Sequence, residues 1–220
     1  CGSLEEVVLG KGLEKVGGET FRYCEKLTKL TIEGNIESID SSVFYDTAIK
    51  ELQVGKGVSS LKETLYGQGA LEKIEVEEGN ESYISEDGVL YNKEKTTLIR
   101  YPQSKSDQTE YKVPDDVKII GENAFRENKT ITKVELPKSV QNIKDNAFIY
   151  CSGLEEIKLS EGLETIGNYA FAYCNGIEQI KLPDNVKSIG ESVFYYCDNL
   201  TEISLGKNLK TIGYWAFRGC

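Results

Sequence analysis

The sequence predicts a mainly β solenoid of about nine coils, each roughly 22 or 23 residues long, a period that is typical of repeat proteins. One observation behind this prediction is a column of aromatic residues that recurs along the chain at a nearly fixed interval. The other is a short segment of the form Lxx[ILV]x[LIV] that opens each coil. In such proteins each coil completes its apolar core by stacking on its neighbours.

The aromatic column sets the register of the repeat, and its last five members are evenly spaced. We expect a tight turn at these positions to direct each ring into the interior. The column consists of Phe21, Phe44, Tyr66, Phe125, Phe148, Phe171, Phe194 and Phe217.

The opening segments alternate apolar and polar residues and are rich in Ile and Val, which predicts short strands that pair in parallel and in register. A second short extended piece follows in each coil, for example at residues 13–16 and 163–166. A glycine often ends this piece, and we expect a positive φ to be favoured there, although other residues also fill the column. The glycines are Gly17, Gly121, Gly167, Gly190 and Gly213, and the other residues are Asp40, Lys62 and Lys144.

The repeat is interrupted once, at residues 77–107, where the interval between the equivalent strand positions Val76 and Val113 is more than half as long again as elsewhere. Two β-rich runs flank the polar residues 92–95, so we predict a β-hairpin insertion that turns at those four residues. Residues 1–220, including this irregular coil, are predicted to form a single repeat domain. Insertions of this kind often lie on a binding face, but a spacer or a lid over one coil is an open alternative.

Composition excludes several classes of partner. The formal net charge is -10 and the pI is about 4.8, which argues against binding to nucleic acid or to an anionic membrane surface. No apolar run approaches the roughly 18 to 20 residues that a membrane span needs, so we predict no membrane insertion of this segment. The chain has no Met and both ends fall on the same position of the repeat, and we therefore expect it to be part of a longer array.

The cysteines follow the repeat rather than a disulfide pattern: Cys1 and Cys24 are one repeat apart, and so are successive members of the set Cys151, Cys174, Cys197 and Cys220. We interpret them as buried free thiols that pack as small apolar side chains. Neighbouring coils lie within disulfide reach, so pairing stays open, and metal binding is a further alternative.

Catalysis is not predicted, because the chain contains no His and therefore no His-based triad or His metal site. We assign no catalytic residue, no metal ligand and no cofactor. The outward strand column alternates in charge, which cross-strand pairing explains and which favours a solvated structural face over a ligand surface. Its members are Glu6, Lys29, Glu51, Lys73, Glu110, Lys133, Glu156, Gln179 and Glu202.

Tyrosines are the better candidates for a binding surface. Several precede a column cysteine, so we expect them at the edge of the coil, and amphipathic rings suit protein or glycan contacts. The alternative is that they stack on one another as a stabilising ladder. The candidate ligand-binding residues are Tyr23, Tyr150, Tyr173, Tyr195 and Tyr196, with Tyr91 and Tyr101 of the predicted hairpin.

These residues resemble the BspA-like leucine-rich repeats, in which an L-x-x-I-x-L strand, a Pro or Gly turn, V-x-x-I-G and A-F-x-x-C follow in order. The segments ITKVELPKSVQNIKDNAFIYC and IEQIKLPDNVKSIGESVFYYC fit this pattern closely, and DGVLYNKEKTTLIRYP is similar to an interruption found in that family. The resemblance covers essentially the whole chain. It implies a right-handed leucine-rich repeat array and a bacterial cell-surface or secreted protein that adheres to host or partner macromolecules.

Together, the residues and the resemblance favour a non-catalytic binding or adhesion module whose partner is a host or partner protein, or a glycan. One alternative is a structural spacer that presents a neighbouring domain. A second is a glycosidase-like enzyme, which would require two facing carboxylates that are not already paired.

Overall fold

Short strands and tight turns make up the structure, a computed structural model that describes residues 1–40, 42–61 and 69–220. No helix occurs within these ranges, so the predicted mainly β fold is confirmed. The chain divides into two compact units: unit 1 is Cys1–Lys93 with Pro102–Lys105, and unit 2 is Glu94–Tyr101 with Ser106–Cys220. Tyr66 of the aromatic column and Lys62 of the glycine column lie outside the described residues.

Unit 1 contains eight strands. They are β1 (Glu6–Leu9), β2 (Lys15–Val16), β3 (Lys29–Ile32), β4 (Ser38–Ile39), β5 (Glu51–Val54), β6 (Lys73–Val76), β7 (Tyr83–Glu86) and β8 (Val89–Asn92). The opening strands of successive coils form one parallel sheet in the order β1-β3-β5-β6, and β2 pairs with β4. Strands β7 and β8 form an antiparallel hairpin.

Unit 2 contains eleven strands. They are β9 (Thr97–Arg100), β10 (Glu110–Lys112), β11 (Ile119–Ile120), β12 (Lys133–Glu135), β13 (Asn142–Ile143), β14 (Glu156–Lys158), β15 (Thr165–Ile166), β16 (Gln179–Lys181), β17 (Ser188–Ile189), β18 (Glu202–Ser204) and β19 (Thr211–Ile212). Opening strands pair as β10-β12-β14 and β16-β18. The second strands follow the order β9-β11-β13-β15-β17-β19.

Pairing between coils is parallel and in register, as the sequence predicts. Glu6 lies opposite Lys29 in unit 1, and Lys133 lies opposite Glu156 in unit 2, so equivalent residues of adjacent coils are direct neighbours. Nine opening strands are described, four in unit 1 and five in unit 2, which confirms the prediction of about nine coils.

The aromatic turn of each coil adds a third ladder of backbone hydrogen bonds. In unit 2 the amide of Phe148 donates to the carbonyl of Ala170 at 2.8 Å, in the coil that follows. The amides that lead into the strands donate instead to the coil before, as Glu155 does to Thr132 at 2.8 Å. Each interior coil is therefore bonded to both of its neighbours.

Stacked aromatic rings form the centre of each unit. Phe125 and Phe148 lie 4.7 Å apart between ring centroids with an interplanar angle of 11°, and the same arrangement continues through Phe171 to Phe217. Tyr101 occupies the equivalent place ahead of Phe125, with its ring stacked at 5.1 Å and fully buried. Although Arg100 rather than Ala precedes it, Tyr101 therefore serves as the aromatic anchor of its coil.

The cysteine column consists of free thiols, as predicted, and those of Cys24, Cys151, Cys174 and Cys197 are buried. The predicted burial is wrong for Cys1 and Cys220, which are exposed. The thiol of Cys151 donates to the carbonyl oxygen of Phe125 in the preceding coil at 3.0 Å, and the contact repeats one coil further on from Cys174 to Phe148. A buried carbonyl thus gains a donor that is small enough to fit beside the phenylalanine stack.

The predicted positive φ of the glycine column is wrong. Its members do not have positive φ; among the described glycines, that conformation occurs at Gly79, Gly88 and Gly219. Space explains four of its five glycines instead; a Cβ atom on Gly190, for example, would lie 2.7 Å from the backbone nitrogen of Asn168 in the preceding coil. Gly17 is the exception, since the nearest atom to a Cβ atom there would be 3.9 Å away.

An antiparallel hairpin lies inside the insertion, as predicted, but the sequence did not predict the position of its turn. Its strands are β7 and β8, and the turn is formed by Asp87 and Gly88, with φ values of 50° and 76°. Two consecutive residues with positive φ make the type I′ turn that Asp-Gly favours. Of the predicted turn, Asn92 is the last residue of β8, and residues 93–95 form a second turn before β9, in which Lys95 has a φ of 56°. Within unit 1 the hairpin is joined to β6 by a 3.0 Å bond from the Ile74 amide to the Gly88 carbonyl.

Candidate functional site

Paired charges cover much of the strand face. Lys29 bonds Glu6 at 3.1 Å, and Lys133 bonds Glu156 at 2.8 Å, which raises the pKa of Lys133 through that hydrogen bond and the charge of Glu156. The predicted Glu51–Lys73 pairing is wrong, because Lys73 bonds Glu75 of its own strand. These contacts support a solvated structural face, on which several carboxylates, such as those of Glu6 and Glu156, are paired with lysines.

The tyrosines beside the cysteines have a left-handed backbone. Tyr150, Tyr173 and Tyr196 have φ values of 62°, 61° and 51°, and Glu127 and Gly219 continue the same column at 62° and 83°. A non-glycine residue is strained in this conformation. Its repetition in successive coils shows that the aromatic turn requires it, and the turn thereby aims one side chain per coil outwards.

These outward rings form a stack, defined here as Tyr150, Tyr173 and Tyr196. The first two ring centroids are 4.6 Å apart and the next two are 5.8 Å apart, with interplanar angles of 15° and 5°. Tyr195 packs edge-on against Tyr173 at 5.7 Å and against Tyr196 at 4.6 Å. The stacking that the sequence leaves as an alternative is therefore present, while Tyr150 and Tyr196 stay 39% and 40% exposed.

Both ends of the stack are covered. The guanidinium of Arg126 lies 6.0 Å from the ring centroid of Tyr150, and Gly219 approaches the ring of Tyr196 so closely that a Cβ atom there would lie 2.9 Å from it. The ring faces are consequently occupied by neighbours. A partner would meet the ring edges and the phenol hydroxyls, which combine apolar area with hydrogen-bonding groups.

An open groove of about 470 Å³ runs beside the stack in unit 2. Tyr150 and Tyr173 form one wall, and polar side chains from the column after the cysteines form the other. The lining residues are Glu127, Lys129, Tyr150, Ser152, Tyr173 and Asn175. Burial raises the pKa of Tyr173, and the neighbouring phenols add to that effect, so its hydroxyl remains a donor at neutral pH.

One lysine provides an uncompensated charge in this groove. Glu127 is neutralised by a 2.9 Å ion pair with Arg126, whereas exposed Lys129 takes part in none of the ion pairs between described residues. The groove therefore carries local positive charge on a chain whose formal net charge is -10.

The other predicted site residues lie elsewhere. Tyr23 belongs to unit 1, where it is 60% exposed and Arg22 lies over its ring at 4.7 Å. Tyr91 and Tyr101 are only 1% and 0% exposed, so their proposed contact with a ligand is corrected: both rings belong to the core. Their burial follows from β8 and from the aromatic anchor position that Tyr101 fills.

Sequence reasoning missed Lys129, Ser152 and Asn175. They lie one position after the cysteine column, counting Asn128 as the member of that column in its coil. A column-by-column reading of exposed positions would have found them, because three successive coils place polar side chains there. No motif marks them.

Comparison with known proteins identifies the family. The model of the BspA type leucine rich repeat region matches residues 1–107 and 96–220, which together span the chain. The chain belongs to this family. Of its solved relatives, the pneumococcal vaccine antigen PcpA is 33% identical over 96% of the chain, with a TM-score of 0.77. The chain covers 54% of that PcpA structure, so it spans about half its length.

A second similar solved structure is that of a leucine rich cell surface protein of Faecalibacterium prausnitzii A2-165. It is 27% identical, and the match covers 97% of this chain and 60% of that one with a TM-score of 0.75. A leucine-rich repeat protein of Eubacterium ventriosum, 21% identical with a TM-score of 0.63, shares the fold; the match covers 98% of this chain and 82% of that one. No curated protein sequence matches the chain. The described residues contain no helix long and apolar enough to cross a bilayer.

Proposed function

We propose that the chain is a non-catalytic binding module of a bacterial cell-surface or secreted protein, and that it holds a host or partner protein through the tyrosine stack. The observation that carries this proposal is the set of outward, mutually stacked rings in three successive coils. Tyrosine contributes large contact area at low entropic cost, and it is enriched among the residues that dominate protein interfaces.

The geometry supports a rigid rather than an adaptable surface. Each ring of the stack is held by its neighbours, and Tyr195 adds an edge-on contact, so little side-chain entropy remains to be lost on binding. The strand face offers less, because many of its charges already pair with each other, as in the Lys133–Glu156 and Lys158–Glu135 contacts, both 2.8 Å long.

The family supports the location proposed. One relative is named a cell surface protein and another a vaccine antigen, which fits a role outside the cell. A structural spacer is the alternative function, and it would need the repeat core but not the exposed rings.

The test is capture of the purified chain on a panel of immobilised host extracellular-matrix and serum proteins, followed by affinity measurement for each protein that binds. We expect the double variant Tyr173→Asn/Tyr196→Asn to weaken binding by about tenfold or more, since truncated interface tyrosines typically cost over about 1 kcal/mol. Asparagine tolerates a left-handed backbone, so the turn is preserved.

Tyr23→Asn is the matched control, because Tyr23 shares the column and a φ of 60° but lies in unit 1 beside Asp46 rather than another tyrosine. Its binding should equal that of the wild type. An equal loss in both variants would show that the stack is not the contact. Failure to capture any protein on the panel would favour the spacer.

A further inference from the structure

Asn175, which lines the groove beside the stack, has a buried acceptor without a donor. The Nδ2 atom of Asn175 donates to the carboxylate of Asp198 at 3.2 Å. Because a carboxylate can only accept, this bond fixes which branch of the amide is the nitrogen. The remaining oxygen, Oδ1, is buried and has no hydrogen-bond partner among the described residues.

An unsatisfied buried acceptor destabilises a protein. The oxygen is not exposed, so a hydroxyl or amide donor of a ligand would satisfy it once the Asn175 side chain turns towards the groove. Asn175 lines the groove together with Ser152, whose exposed hydroxyl both donates and accepts. This part of the groove therefore suits a ligand that carries hydroxyl groups.

Lys129 adds a preference for a negatively charged ligand. It lines the same groove without an ion-pair partner among the described residues, while its neighbour Glu127 is held by Arg126. The edges of Tyr150 and Tyr173 border the groove with the positive side of the aromatic quadrupole. An anionic group next to Lys129 would be favoured by both.

We propose that this groove binds an acidic sugar, with the carboxylate of the sugar on Lys129 and its hydroxyls on Ser152 and Asn175. The inference rests on the proposed role as a binding module and names a second ligand class for it. A volume of about 470 Å³ accommodates one or two pyranose rings, and pockets for compact ligands fall in this size range.

A sugar fits better than an acidic peptide for two reasons. Apart from the two tyrosines, the groove is lined by Glu127, Lys129, Ser152 and Asn175, all polar, so it offers no apolar pocket for a peptide side chain. The ring faces of Tyr150 and Tyr173 are packed against each other, so contact is limited to edges and hydroxyls. Recognition would thus depend on hydrogen bonds and charge.

Isothermal titration calorimetry on the intact chain tests the proposal with four probes: glucuronic acid, sialyllactose, neutral lactose and an acetylated glutamate peptide. We expect one or both acidic sugars to bind at least about tenfold more tightly than lactose and the peptide. The probe that binds shows whether the ligand is a uronic acid or a sialic acid. Lys129→Gln should remove that preference, and Lys129→Arg should retain it. Lys138→Gln, which removes an exposed lysine outside the groove, is the matched control and should change nothing.

Equal binding of lactose and the acidic sugars, absence of binding, or an unchanged preference in Lys129→Gln would overturn the proposal. A peptide that binds as tightly as the sugars would overturn the sugar assignment. These outcomes are separable from the protein-capture test, because Lys129→Gln leaves the stack of Tyr150, Tyr173 and Tyr196 intact, and the two activities are measured with different probes.

Discussion

Alkaline pH should destabilise the fold through its buried cysteines. Burial raises the pKa of Cys151 and of Cys197 to about 12, and it also raises the pKa of Cys174. In the unfolded chain these thiols ionise near their ordinary pKa of about 8.5 to 9. Between these limits the folded state retains protons that the unfolded state releases, so stability is full below about pH 9 and falls as the pH rises towards about 12.

The size of the effect follows from linkage. Each thiol that is protonated in the folded state and ionised in the unfolded state lowers the free energy of unfolding by about 1.4 kcal/mol per pH unit. For Cys151 and Cys197 together, the loss between pH 9 and pH 10.5 is therefore up to about 4 kcal/mol. That is a large fraction of the roughly 5–15 kcal/mol that stabilises a typical protein.

Urea unfolding followed by circular dichroism at pH 7.5, 9, 10 and 10.5 measures this dependence. The Cys151→Ser/Cys197→Ser variant is the control, since serine does not ionise in this range and its hydroxyl retains a donor for the phenylalanine carbonyls that the two thiols contact at 3.0 and 3.1 Å. We expect it to be less stable at pH 7.5 but to lose less stability as the pH rises. Parallel curves for the two proteins above pH 9 would refute the reasoning.

Two further substitutions test the packing between coils. Gly190→Ala should lower the free energy of unfolding by about 1–3 kcal/mol, because the new methyl group meets the backbone of Asn168, whereas Gly17→Ala, with its nearest atom 3.9 Å away, should be close to neutral in the same urea titration. Lys133→Glu should lower the melting temperature slightly, since it replaces the 2.8 Å ion pair with Glu156 by a repulsion that solvent screens. A melting temperature that stays constant or rises would contradict the charge ladder.

Much of the fold could be predicted from the sequence because the repeat imposes one environment on each column. The in-register strands, the phenylalanine core and the free buried thiols follow from periodicity alone. The prediction failed where the period is broken: the Asp87–Gly88 turn lies inside the insertion, and Tyr101 follows Arg100 instead of alanine. The Asp-Gly dipeptide is a strong hairpin signal and would have placed that turn correctly.

The candidate site was only partly predictable. Tyr150, Tyr173 and Tyr196 were found because they recur at the repeat interval in three successive coils, but spacing does not reveal their left-handed backbone or the stacking of their rings. The glycine column shows the same limit, since close approach of a neighbouring coil and positive φ both select glycine. Asn175 and Lys129 have no motif, and their role depends on which of their polar atoms the fold leaves without a partner.

The two directions of bonding within a coil bear on how such arrays change in length during evolution. Amides leading into the strands, such as that of Glu155, bond to the preceding coil, and amides in the aromatic turn, such as that of Phe148, bond to the following one. Removal or duplication of one whole repeat unit rejoins coils whose donors and acceptors still match. A gain or loss of any other length shifts every later contact. Recombination between repeats can therefore extend or shorten the stack of tyrosines one ring at a time while the core is kept.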